Sequence, residues 1–117
     1  MILTMETTES ETLREIEEQA ILLAREAGEI ALRYFHQPLD VRYKLKGEKS
    51  PVTAADCEIE AYLRSSIARR FPEHGIVGEE QPEELRGAAD FLWVLDPVDG
   101  TANFANGLPI FGISIGV

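Results

Sequence analysis

The sequence predicts an α/β fold in which two helices cover one face of a largely antiparallel sheet. Three observations carry this expectation. A long early segment repeats apolar residues every three or four positions, and a second such segment halts at Pro72-Glu73-His74-Gly75. After it come short apolar runs separated by turn-forming residues, the signature of strands at close spacing.

In chain order, residues 1–10 are polar and Thr/Glu-rich and are expected to form a flexible N-terminus, with the domain occupying 11–117. From Thr12 to about His36, Leu13, Ile16, Ala20, Leu23, Ala27, Ile30 and Tyr34 recur at helical spacing, giving one amphipathic helix. Thr12 and Glu15 can cap its start, and Pro38 follows its end. Val41–Leu45 alternates as an edge-like strand, with Val41, Tyr43 and Leu45 on one face. The second helix is expected over Thr53–Phe71, with Ile59, Leu63, Ile67 and Phe71 on one row. His74 reads as a turn residue, because neither histidine has ligand spacing to a partner. Ile76-Val77 is a short strand running into Gly78-Glu79-Glu80. Phe91–Leu95 reads as a buried strand from whose carboxyl end Asp96 emerges, and Ile110–Val117 alternates as a half-buried strand.

Composition bounds the function classes. A chain of 117 residues with 44% hydrophobic content is expected to form one domain with a core. Its formal net charge of −10 argues against nucleic acid or an anionic membrane as main partner. An anionic substrate would have to be drawn in by bound cations or by local bases such as Lys46 and Lys49. The single cysteine, Cys57, excludes an internal disulfide, fits a reducing cytoplasm and reads as a packing residue. No stretch approaches the ~20 apolar residues of a membrane span. Met1–Met5 lacks the basic flank and apolar length of a signal peptide. A soluble, cytoplasmic protein is expected.

Chemistry is expected where apolar runs end in carboxylates. Asp96-Pro97-Val98-Asp99-Gly100-Thr101 is a stiff turn: Pro97 restricts its own φ, and Gly100 permits positive φ or a close ligand approach. Such a turn can aim Asp96, the Val98 carbonyl and Asp99 at one point, an all-oxygen set suited to Mg²⁺. The same six residues serve equally well as a surface turn. Glu79 and Glu80 repeat the design, although a water-facing acidic loop would look similar. Asp56 has two readings as well. Thr53 and Asp56 stand in the Thr-x-x-Asp relation of a helix cap, which accounts for both without catalysis.

Taken together, SPVTAAD (Ser50–Asp56), GEE (Gly78–Glu80), WVLDPVDGTANF (Trp93–Phe104) and GLPIFGISIG (Gly107–Gly116) resemble the inositol monophosphatase family of metal-dependent phosphatases, in order and spacing, from about Leu13 to Val117. The resemblance implies a layered α-β-α-β-α sandwich, of which this chain supplies the N-terminal helices and much of the first sheet. It implies two or more Mg²⁺ ions, with Mn²⁺ as an alternative: Glu79, Asp96 and the Val98 carbonyl on one, Asp96 and Asp99 reaching a second. Gly100 and Thr101 would offer backbone donors to the substrate phosphate, with Asp99 beside them, while Thr101, paired with Asp56, and Glu79 would orient and activate the attacking water.

Phosphoryl transfer depends mainly on positioning and cationic stabilisation, which explains the residue types. Like charges about 4 Å apart repel by roughly 4 kcal/mol at an effective dielectric near 20, so clustered carboxylates need a cation. The implied substrate is a small phosphate monoester, inositol monophosphate or a related sugar phosphate, because Ala102 stands where histidinol phosphatases and bisphosphate nucleotidases of the superfamily typically carry Lys. Alternatives are histidinol phosphate, fructose bisphosphate or a 3′,5′-bisphosphate nucleotide, and, in a different class, a non-catalytic metal-binding or assembly role. Family members run to roughly twice this length and tend to be homodimers. The chain is therefore expected to be the N-terminal part of a metal-dependent phosphatase domain whose C-terminal half, with a further metal ligand, is missing, and to be inactive alone.

Overall fold

The computed structural model describes residues 2–35, 51–81, 89–100, 103–104, 106–107 and 112–117, with side chains described from residue 9 in the first helix and from residue 54 in the second. Its elements are α1 (Ile2–Phe35), α2 (Pro51–Arg70), β1 (Gly75–Val77), β2 (Leu92–Asp99) and β3 (Gly112–Gly116). The expected strand Val41–Leu45, Lys46, Lys49 and Thr101 lie outside the described residues.

α1 starts ten residues before the expected Thr12. Nothing in Glu6–Glu11 interrupts a helix, and glutamate is a good helix former, so the Thr12/Glu15 pair sits inside α1 instead of capping it. The two helices run antiparallel. Tyr34 Oη donates to Glu58 at 2.7 Å near one end, and Arg70 lies 4.0 Å from Glu15 near the other. Residues before Glu15 therefore overhang the end of α2. Leu13, expected in the core, is 54% exposed for that reason, whereas Ile16, Leu23, Ala27 and Ile30 are buried as the periodicity predicts.

α2 begins at Pro51, where a missing N–H and a preset φ suit the first helical position. The row Ile59, Leu63, Ile67 is fully buried, with Phe71 closing it. The helix ends as expected at Phe71-Pro72. His74 is stacked on Phe71, ring centroids 4.7 Å apart, and its Nδ1 accepts the Trp93 indole N–H at 3.0 Å. Burial depresses the His74 pKa below its ordinary value, consistent with a neutral ring fastening this turn to β2.

The sheet order is β1-β2-β3, β1 parallel and β2-β3 antiparallel. This part of the sheet is thus mixed where a largely antiparallel one was expected. Residues 78–91 form a connection long enough to return the chain to the start of β1, which a parallel neighbour requires. α2 packs over β2 and α1 over β3, enclosing Ile76, Trp93, Leu95, Val98 and Phe104. The described residues thus contain one helical layer on one sheet face of the layered sandwich. The Phe91–Leu95 run is not buried throughout: Trp93 and Leu95 point to the helices, while Leu92 and Val94 are 39% and 50% exposed on the other face.

Nor does the strand stop before Asp96. β2 continues through Pro97 to Asp99, and the register slips, Asp96 opposite Ser114 but Asp99 opposite Gly112. One extra residue on β2 makes a bulge, which tolerates the proline's missing donor. Pro97 and Val98 are consecutively buried, so alternation breaks there and Asp96 and Asp99 are re-aimed. Among the described residues no helix is long and apolar enough to cross a membrane.

Candidate metal and phosphate site

Three elements bring carboxylates toward one region. α2 supplies Asp56, the exit of β1 supplies Glu79 and Glu80, and the bulged end of β2 supplies Asp96 and Asp99. Burial and neighbouring acidic groups raise three of them above the ordinary carboxylate range. Burial chiefly, then the charges of Glu80, Glu79, Asp96 and Glu60, push Asp56 up to about 7. The charge of Asp96, and to a lesser degree burial, raises Glu79 above the ordinary glutamate range. Burial and Asp99 raise Asp96, opposed by a hydrogen bond from the Val98 backbone N–H.

Asp56 does not act as the cap its sequence position suggested. The helix starts two residues before Thr53, leaving Asp56 within it, and its Oδ1 is buried without a hydrogen-bond partner. A buried carboxylate oxygen with no donor is costly, and an unfilled ligand position is a usual reason for it.

Beyond Asp96, the Val98 side chain is buried and Asp99 is exposed. Gly100 adopts the expected positive φ, 90°, and its carbonyl accepts the Phe104 N–H at 3.0 Å, turning the backbone back over the strand end. Thr101 lies outside the described residues, and with it the expected pairing to Asp56.

Sequence reasoning missed the residues that hold the Gly78–Gln81 turn. Glu60, one turn after Asp56 on α2, is fully buried. Its Oε1 accepts the backbone N–H of Glu79 at 2.8 Å and of Glu80 at 3.0 Å. Its Oε2 accepts the Gln81 N–H at 2.8 Å and Arg64 Nε–H at 3.0 Å, and Arg64 Nη2 donates to the Gln81 carbonyl at 3.0 Å. Gly78 is required because a Cβ there would collide with the Glu60 carboxylate. The available signal was the spacing of Asp56, Glu60 and Arg64 at i, i+4 and i+8, a charged row beside the apolar Ile59-Leu63-Ile67 row.

The donor chemistry fits a hard cation. All candidate ligands are oxygens, the carboxylates carry surplus negative charge in each other's field, and one buried oxygen is unpartnered. Among the described residues, however, no three Asp, Glu, His or Cys side chains converge closely enough to hold an ion by themselves.

Comparison with known proteins agrees with the architecture. A model of the inositol monophosphatase family matches residues 12–117. The chain is 38% identical over 98 residues, 84% of its length and 37% of the other, to a Nus factor SuhB of Salmonella typhimurium. It is 38% identical over 96 residues, 82% of its length and 36% of the other, to a histidinol-phosphatase of Chlorobaculum parvum. Among solved structures, the inositol monophosphatase of Anabaena (Nostoc) sp. PCC 7120 superposes with a TM-score of 0.71 at 33% identity, covering 90% of this chain and 35% of that one. The chain thus spans little more than a third of the length of these relatives.

Proposed function

This chain belongs to the inositol monophosphatase family, and we propose that its carboxylate cluster serves hydrolysis of a phosphate monoester, inositol monophosphate or a related sugar phosphate, with Mg²⁺ or Mn²⁺. The observation that carries this reading is the buried Asp56 Oδ1 that no donor meets, and Asp56, Glu79 and Asp96 are each raised above the ordinary carboxylate range by burial and neighbouring acidic groups. Among the described residues, carboxylates arranged in this way are poised for a cation.

Glu79, Asp96 and the Val98 carbonyl would hold one ion, and Asp96 with Asp99 would reach a second. Glu79 is exposed and retains the rotamer freedom to close on an ion. When bound, such ions lower the pKa of water and stabilise charge on the entering and leaving oxygens. The chain's own groups do the positioning. Gly100 and Thr101 would offer backbone N–H groups to the phosphate, and the positive φ of Gly100 suits a close approach. Glu79, and Thr101 if paired with Asp56, would orient the attacking water.

Ala102 favours the inositol or sugar phosphate over histidinol phosphate and 3′,5′-bisphosphate nucleotides, and leaves fructose bisphosphate as an alternative. Because this chain alone is expected to be inactive, phosphate release from all four substrate types by a chain extended to its relatives' full length, with and without Mg²⁺, tests the proposal. The highest kcat/KM is expected for inositol monophosphate, and a higher value for histidinol phosphate would reassign the substrate. A second reading is a non-catalytic metal-binding or assembly role, and one relative carries the name Nus factor. Mg²⁺ binding with no release from any of the four would select it.

A further inference from the structure

Glu60 belongs to none of the roles above, yet it is the most heavily hydrogen-bonded carboxylate among the described residues. An ionised carboxylate offers about four lone-pair positions. Here all four meet donors: the N–H groups of Glu79, Glu80 and Gln81 and the Nε–H of Arg64. Three consecutive backbone N–H groups converging on one point form an anion-binding concavity, and Glu60 fills it from another element. With its lone pairs committed, Glu60 has none to give an ion. Arg64 closes the arrangement from the other side by donating to the Gln81 carbonyl, and Gly78 leaves the space into which the Glu60 carboxylate reaches.

We propose that Glu60, braced by Arg64, is a positioning residue that presets the Gly78–Gln81 turn and so holds the Glu79 backbone where its carboxylate can join Asp96 at an ion. This rests on the cation-site reading above. The clamp also sets the spacing between α2 and the exit of β1. Asp56 lies one turn before Glu60 on the same helix, so fastening Glu60 to the turn places Asp56 against Glu79 and Glu80. Buried ion pairs contribute little net stability once their desolvation is counted, and conformational definition of this turn is the return on that cost. Nothing else among the described hydrogen bonds fixes the N–H groups of Glu79, Glu80 and Gln81.

The test titrates the folded protein with MgCl₂ by calorimetry, alongside amide hydrogen exchange at residues 79–81. Glu60→Gln keeps the shape and turns one acceptor into a donor. Glu60→Asp keeps the charge but shortens the reach. Both are expected to weaken Mg²⁺ binding by about 10- to 100-fold, the range seen when groups supporting a metal ligand are removed. Both should also speed exchange at residues 79–81 and, in a chain extended to its relatives' full length, raise the Mg²⁺ concentration for half-maximal phosphate release while leaving substrate KM at saturating Mg²⁺ unchanged. Glu60→Asp with wild-type Mg²⁺ affinity would show that charge alone matters and would overturn the proposal. If neither variant folds, Gly78→Ala, which displaces the carboxylate from the opposite side with the charge retained, gives the same reading: weakened affinity supports the clamp, an unchanged isotherm overturns it. Asp96→Asn separates the two ideas. An unchanged isotherm there removes the cation site itself, whereas loss there with no change in the Glu60 and Gly78 variants removes only the clamp.

Discussion

Asp56 and Glu60 stand one helical turn apart on α2, both withdrawn from solvent and both acidic, yet their surroundings are opposite. Glu60 receives four hydrogen bonds, three from backbone amides and one from a guanidinium. Asp56 Oδ1 receives none, and its carboxyl is pushed up to about 7 by burial and by neighbouring carboxylates. The fold therefore spends its donors on the residue that shapes the turn and leaves the residue facing the cluster uncompensated. A satisfied buried charge specifies structure, whereas an unsatisfied one marks where something else is meant to bind or react.

The largest effect should come from removing the satisfied partner altogether. Glu60→Leu removes the acceptor of three backbone N–H groups and takes from the buried Arg64 guanidinium its carboxylate partner, and should cost about 3–5 kcal/mol in denaturant unfolding. A loss below about 1 kcal/mol would erase the contrast with Asp56.

Asp56→Asn should do the reverse, lowering phosphate release in a chain extended to its relatives' full length by more than about tenfold, ~1.4 kcal/mol in barrier, without destabilising the ion-free protein. The sign follows from linkage. The Asp56 carboxyl is raised from 3.8 to about 7 in the folded state, so the native protein binds the extra proton between those values. Its contribution to stability is complete below about 3.8 and is lost as pH rises toward 7. Thermal unfolding of the ion-free protein across this window should show that decline in the wild type and a shallower one in Asp56→Asn.

His74 should produce the opposite slope. Burial lowers its folded pKa below 6.5, and its neutral Nδ1 accepts the Trp93 N–H, so its contribution is present above 6.5 and lost as pH falls through the folded value. His74→Ala should remove this acid-side loss at a cost of about 1 kcal/mol for the hydrogen bond, followed by Trp93 fluorescence during unfolding.

The smallest effect belongs to Glu58, two residues before Glu60 and exposed. Its ion pair with Arg33 spans 3.5 Å between side chains 68% and 46% exposed. Glu58→Gln should change stability by about 0.5 kcal/mol or less.

What the sequence disclosed follows the strength of the local signals. The Ile59-Leu63-Ile67 row and the stop at Pro72 were legible because periodicity and a breaker agreed. The start of α1 was not, because Thr12 and Glu15 imitate a cap inside an uninterrupted helix former. The apolar Leu92-Trp93-Val94-Leu95 run hid a one-sided strand, since an exposed Leu or Val leaves no mark in composition. The parallel pairing of β1 with β2 depends on where residues 78–91 travel, and no local pattern encodes that. In the site, the carboxylates at strand ends were readable from the way apolar runs break into acid. Glu60 was not, because a charged residue on a helix ordinarily faces water and only the tertiary fold delivers three amides to it.

The most direct test of the central claim, that Asp56, Glu79 and Asp96 form an incomplete charge cluster awaiting a cation, is calorimetric titration of Mg²⁺ into the wild type and Asp96→Asn. Removing the Asp96 charge also relieves Glu79, whose raised pKa has Asp96 as its largest cause. The account predicts saturable Mg²⁺ heat in the wild type and loss of most of it in Asp96→Asn. An isotherm unchanged by the substitution would contradict it.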